Sequence, residues 1–168
     1  TNAEGVYELL SITDNVTGCS NIINGQTATV ILLPIPQMTP MADIVVCEGN
    51  DVSVPSFQSS VPGTTFDWVN LGSDIGNGMS GSGNMGVFTG VNGTNTTQVG
   101  NYYVTPISPN GCTGPVQGFN ISVSPLPLID VTAQVFAGCL PVNVVFTNNN
   151  STGQETSLWS FGDGSIST

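Results

Sequence analysis

An all-β chain of sandwich domains is the fold predicted for these 168 residues, and three observations predict it. Glycine (21) and proline (11) make up about a fifth of the chain, well above the ordinary share of about 12%. Such a composition suits short strands joined by tight turns. Apolar residues alternate with polar ones, most clearly where Phe119, Ile121 and Val123 interleave with Asn120, Ser122 and Ser124, the period of a half-buried strand. No segment combines a helical period with capping residues.

Taken in chain order, the strand candidates of the central region are residues 44–47, 51–57, 64–70, 86–91, 99–107 and 116–124. The first is a short β-branched run ending at Cys47. The next three carry bulky apolar residues bounded by glycine, proline or asparagine. The last two hold Tyr102-Tyr103 and the alternation already described. Between Gly72 and Gly86 the sequence is rich in Gly, Ser and Asn without periodicity, and it reads as a long loop. The alternation of Val142, Val144 and Phe146 marks a further strand. The longest apolar run, around Val30 to Leu33, is strand-sized and far short of the roughly 20 residues of a membrane helix.

The chain repeats itself. Cys19 and Cys112 are 93 residues apart, Cys47 and Cys139 are 92 apart, and Trp68 and Trp159 are 91 apart. Pro34-Ile35-Pro36 returns as Pro125-Leu126-Pro127 after 91 residues, and Gly5-Val6-Tyr7 as Gly100-Asn101-Tyr102 after 95. A period near 92 approaches the roughly 100 residues of an immunoglobulin-like sandwich. The phase gives three units: 1–36 as the C-terminal part of an Ig-like domain, 37–127 as a complete domain, and 128–168 as the N-terminal part of a third. The first and last are expected to be completed by further chain or by neighbouring copies. The Pro-x-Pro segments read as stiff, extended connectors.

Charge removes whole classes of function. The sequence has no Lys, Arg or His and 11 acidic residues, for a formal net charge of −11. Nucleic acid is excluded as a partner, because affinity for it rests on cationic neutralisation of phosphate. A P-loop lacks its lysine, and the Ser-His-Asp and Cys-His designs lack their base. Attraction to anionic membrane is equally absent, and no direct membrane insertion is expected. Yet hydrophobic residues are 39% and mean hydropathy is +0.20, so the chain is no disordered polyanion.

Four cysteines remain. A bridge between Cys47 and Cys112 is the simple expectation, with Cys19 and Cys139 paired outside these residues; free buried thiols are the alternative. Metal ligation is disfavoured by the lack of Cys-x-x-Cys and of histidine. Trp68 and Trp159 follow the first cysteine of their repeats by about 20 residues, where a sandwich buries a core aromatic against its bridge. An aromatic platform for sugar stacking is the competing reading. The scattered carboxylates read as solvated charge, with calcium at a domain junction through Asp43, Glu48 or Asp130 as a minor alternative. Asn-x-Ser/Thr acceptor patterns occur at Asn15, Asn92, Asn95, Asn120, Asn149 and Asn150, as such a composition would produce without glycosylation.

One stretch carries a family likeness. Gly138-Cys139-Leu140-Pro141-Val142-Asn143-Val144-Val145-Phe146-Thr147-Asn148, followed by Trp159-Ser160-Phe161-Gly162-Asp163-Gly164-Ser165, resembles the start of a PKD domain. That family shows Cys-x-Pro-x-x-Val-x-Phe-x-Asn and then Trp-x-Phe-Gly-Asp-Gly, with an acid where Ser160 stands here. The central unit resembles PKD-like domains through Cys47-Glu48-Gly49, Asn110-Gly111-Cys112-Thr113-Gly114 and Phe119-Asn120-Ile121-Ser122-Val123. Such domains occur in very long surface proteins of gliding Gram-negative bacteria. Gly5-Val6-Tyr7 through Gly18-Cys19 resembles the end of a related Ig-like module.

The resemblance implies a non-enzymatic segment of an exported adhesin, delivered by type IX secretion to the cell surface and serving as stalk or adhesive surface. It needs no cofactor. The expected partners are other domains of the same chain, neighbouring copies, and extracellular glycans or surfaces. The alternatives are a carbohydrate-binding accessory module of a secreted hydrolase and a subunit of a self-assembling extracellular filament.

Overall fold

The computed structural model describes residues 3–134, 144–149, 156–162 and 164–167. Cys139 and Asp163, both singled out above, lie outside them. The fold is all-β: fifteen strands are formed among the described residues, none of which is helical.

The first unit is one long hairpin. Strand β1 (Gly5–Glu8) pairs antiparallel with β4 (Thr27–Val30), and beyond them β2 (Ser11–Thr13) pairs with β3 (Ser20–Ile22). Its turn is held by Asp14, whose Oδ1 accepts from the amides of Val16 at 2.7 Å and Thr17 at 3.3 Å. These bonds hold the exposed carboxyl below its ordinary range, the Val16 amide first; short acceptors of this kind favour turns over strands.

The central unit is a two-sheet sandwich. One sheet has the order β5 (Ile44–Cys47), β11 (Gln117–Ser124), β10 (Gln98–Ile107), β7 (Thr65–Asn70), β8 (Ser80–Ser82). Neighbours are antiparallel except β5, which runs parallel to β11. The other sheet pairs β6 (Asp51–Ser53) with β9 (Val87–Thr89). Between them lie Val52, Phe57, Phe66, Trp68, Tyr102, Val104, Phe119, Ile121 and Val123. Each long strand sends alternate side chains inward, as a pleated strand must. Aromatic rings knit the layers: Trp68 meets Tyr102 edge-on at 5.9 Å, and Tyr102 stacks on Phe119 at 5.6 Å.

Two expectations need correction here. The expected strand 51–57 stops at Ser53, because Pro55 has no amide to donate. The Val54 amide still reaches Gly86 O, and the Phe57 amide is taken by Asn84 Oδ1 at 2.7 Å. The supposed loop 72–86 contains β8, paired with β7 so that Gly81 lies opposite Trp68. A side chain at 81 would collide with the Trp68 ring. The strand therefore shows no apolar alternation, since its inward residue is a glycine beneath an indole.

In the third unit β12 (Val131–Gln134) pairs with β13 (Val145–Asn148), and β14 (Trp159–Ser160) with β15 (Ile166–Ser167). Registers recur along the chain. Gly5 faces Val30 and Tyr7 faces Ala28, as Gly100 faces Ile121 and Tyr102 faces Phe119. The isolated bridge Met38↔Ser59, moved on by 91 residues, has the register of Val131↔Asn148.

Candidate functional site

The cysteines reveal how the central unit is organised from end to end. Cys47 ends β5 and is the register partner of Ser124, the last residue of β11. Cys112 sits at the tip of the β10–β11 hairpin, where its amide meets Ser108 Oγ at 3.1 Å and its carbonyl accepts from Ser108 N at 2.9 Å. The seven residue steps of β11 between Gln117 and Ser124 span about 23 Å. A disulfide needs Cα atoms within about 7 Å. The expected Cys47–Cys112 bridge is therefore not formed: Cys47, Cys112 and Cys19 are all free thiols, with Cys47 and Cys19 exposed. The linear spacing suggested a closed loop, but the strand between places the two sulfurs at opposite poles.

These poles are also where the chain arrives and leaves. Inbound, Pro36 is fully buried and Gly114, two residues beyond Cys112, lies so close to its carbonyl that no Cβ would fit. Outbound, Ser124 leads directly into Pro125-Leu126-Pro127. The outbound pole is concave. A recess of about 480 Å³ opens beside Cys47, walled by Glu48, Asn92, Asn95, Pro125 and Leu128. Asn92 builds its floor. Its side chain is 2% exposed, donates to Thr96 O at 2.9 Å and Val123 O at 2.8 Å, and accepts from the Thr94 amide and hydroxyl. With both amide hydrogens used in the interior, Asn92 offers no accessible acceptor for a glycan despite its Asn-Gly-Thr sequence.

Trp68 is 8% exposed and buried against Tyr102 and beneath Gly81, so it offers no face for sugar stacking. On the outer face of the large sheet the exposed aromatic is Tyr103 (42%), among Asp67, Thr105 and Asn120. Trp159 is half-buried and packs on Phe146 at 5.4 Å, and Phe161 meets Phe146 at 5.9 Å. Gly162 and Gly164 both have positive φ, 80° and 90°, as the turn of the Trp-x-Phe-Gly-Asp-Gly segment requires.

The carboxylates are not gathered. Asp43 is engaged with Asn120, accepting from its amide at 2.8 Å, while Glu48 stands past the far end of β5. Asp130 contributes its backbone carbonyl to Asn149 N. Among the described residues no three metal-capable side chains cluster.

Among the described residues, three buried side-chain polar atoms have no hydrogen-bond partner: Trp68 Nε1, Asn77 Nδ2 and Tyr102 Oη. Burial pushes the Tyr102 phenol up to about 12; the Asp74 carboxylate adds to the rise and the neighbouring Asn77 amide opposes it. Sequence reading missed this polar knot and the floor asparagine, because a lone Asn or Tyr in a strand carries no local signature of what it faces.

Protein-family models give no match to this chain, and no curated protein matches it.

Proposed function

We propose that the chain is a segment of a non-enzymatic, extracellular array of PKD-like and Ig-like modules, a stalk or adhesive surface of a large exported adhesin. The observation that carries the reading is the polarity of the central unit: chain enters at the Cys112 pole and leaves at the Cys47 pole. Units joined this way extend in series. The recurring registers of the first and third units support the same plan, and so does a sequence with no Lys, Arg or His to clamp phosphate or to activate a serine or cysteine nucleophile. Export to the surface of a gliding bacterium by type IX secretion, and membership of the PKD family, rest on the sequence resemblance.

Assembly between copies is the second reading. It is favoured by the apolar side chains that the first hairpin leaves open at Val6 (67% exposed), Leu10, Ile12 and Ile22, since clustered exposed apolar residues mark interaction surfaces. Immunogold labelling with antibody to residues 37–127 tests the main reading on unpermeabilised source cells. Label on fibres outside the cell is expected; label confined to the cytoplasm of sectioned cells would overturn it.

A further inference from the structure

We infer that the cysteines at the two poles staple successive modules together, Cys47 of one unit bonding to the hairpin-tip cysteine (the Cys112 position) of the unit that follows it. The inference rests on the serial reading above. Within one unit the two sulfurs stand a β11 length apart and cannot meet. Across a connector the distances are different. Cys47 pairs in register with Ser124, a neighbouring-strand spacing of about 5 Å. The three residue steps from Ser124 to Pro127 reach at most about 10 Å. Pro127 repeats Pro36, and Pro36 is the residue against which the Cys112 hairpin is packed. The next unit's hairpin cysteine lies two residues from the glycine that packs on that proline, so it is tethered within about 27 Å of Cys47 at full extension, and a bend at Leu126 brings it closer.

The surfaces suit each other. The cysteine-bearing tips are alike in the first two units: Gly18-Cys19 and Gly111-Cys112 follow tight turns in which the glycine takes φ of 74° and 81°. The first tip also carries the exposed Val16, and the second is made of Pro109, Asn110 and Gly111. The recess between Glu48, Asn95 and Leu128 is a mixed hollow beside the exposed Cys47, with Pro125, Leu126, Pro127 and Leu128 as its apolar wall, open toward the side on which the connector leaves. By this scheme Cys112 pairs with the Cys47 position of the unit before it. No two of the four cysteines in residues 1–168 are then partners of one another, in keeping with the free thiols of Cys19, Cys47 and Cys112.

Bond formation is thiol–disulfide exchange. The two thiols give up two protons and two electrons to form one S–S bond, and a disulfide oxidant of the extracytoplasmic space is reduced to two thiols.

The test is peptide mapping of the native protein purified without reductant, blocked with N-ethylmaleimide and digested with chymotrypsin. The peptide bearing Cys47 is expected only as a cross-linked species, joined to a Gly-Cys hairpin peptide from a different repeat and released by dithiothreitol. In a Cys47→Ser variant, one hairpin cysteine per chain becomes alkylated that was protected before. Alkylation of Cys47 in unreduced protein, or a Cys47–Cys112 cross-link within one repeat, would overturn the inference. The serial reading fails separately: cross-linked modules in a particle that is compact by electron microscopy would refute the stalk and leave the staple.

Discussion

Tyr102 shows how single residues here are held by shape more than by polar pairing. Its ring is fully buried between Trp68 and Phe119, yet its hydroxyl has no partner. Removing an unpaired buried hydroxyl while keeping the ring is close to neutral, so Tyr102→Phe is expected to change stability in urea unfolding by less than about 1 kcal/mol. Loss of 2 kcal/mol or more would show that the hydroxyl is bonded. The same residue sets an alkaline limit. Its folded pKa, about 12 against the ordinary 10.0, means that the folded state holds the proton more tightly than the unfolded chain. The contribution is present in full below pH 10 and is lost as pH rises through 12, a loss of about 2–3 kcal/mol. The Phe variant should not show that decline. Asn70 is the opposite case. It accepts from the amides of Gly72 and Asn101 and donates to Ser73 O. Asn70→Ala orphans three backbone groups and should cost about 2–4 kcal/mol in the same assay.

At the level of elements, what was legible followed from side-chain alternation, and what was not followed from glycine and from direction. Strands β7, β10 and β11 announce themselves because bulky residues must alternate to fill the gap between the sheets. Strand β8 is silent because Gly81 fills its inward position. Gly81→Ala is expected to displace the Trp68 indole, shift its fluorescence and destabilise the unit by about 1–3 kcal/mol; unchanged emission and stability would refute this packing. The disulfide expectation failed for a related reason. Spacing in sequence says how much chain separates two cysteines, not at which end of a strand each one sits. Only the parallel pairing of β5 with the C-terminal half of β11 reveals that Cys47 belongs to the outbound pole. The Asn92 floor was hidden likewise, since one of its partners, Val123, lies 31 residues on, in β11.

For the whole molecule, the missing cations have consequences that follow from Coulomb's law alone. No side chain can form an ion pair with another, and all 11 charged groups repel. Added salt can only relieve that repulsion, so raising NaCl from 0.01 to 0.15 M is expected to raise the thermal midpoint. A fall would contradict this. Trypsin, which cuts after Lys or Arg, should leave residues 1–168 intact under denaturing conditions as well, a property suited to a protein exposed outside a cell. With a unit about 35 Å long, taken from the ten residues of β10, repulsion between neighbours matters only when the Debye length approaches that spacing, near 0.01 M. In the proposed stalk, stiffness at ordinary ionic strength then rests on the proline connectors and the proposed bonds between units.

The serial arrangement of modules, each entered at one pole and left at the other, is tested most directly by negative-stain electron microscopy of the native protein. A beaded rod with a repeat of roughly 35–40 Å per unit is the expected result, and a compact particle without that repeat would contradict it.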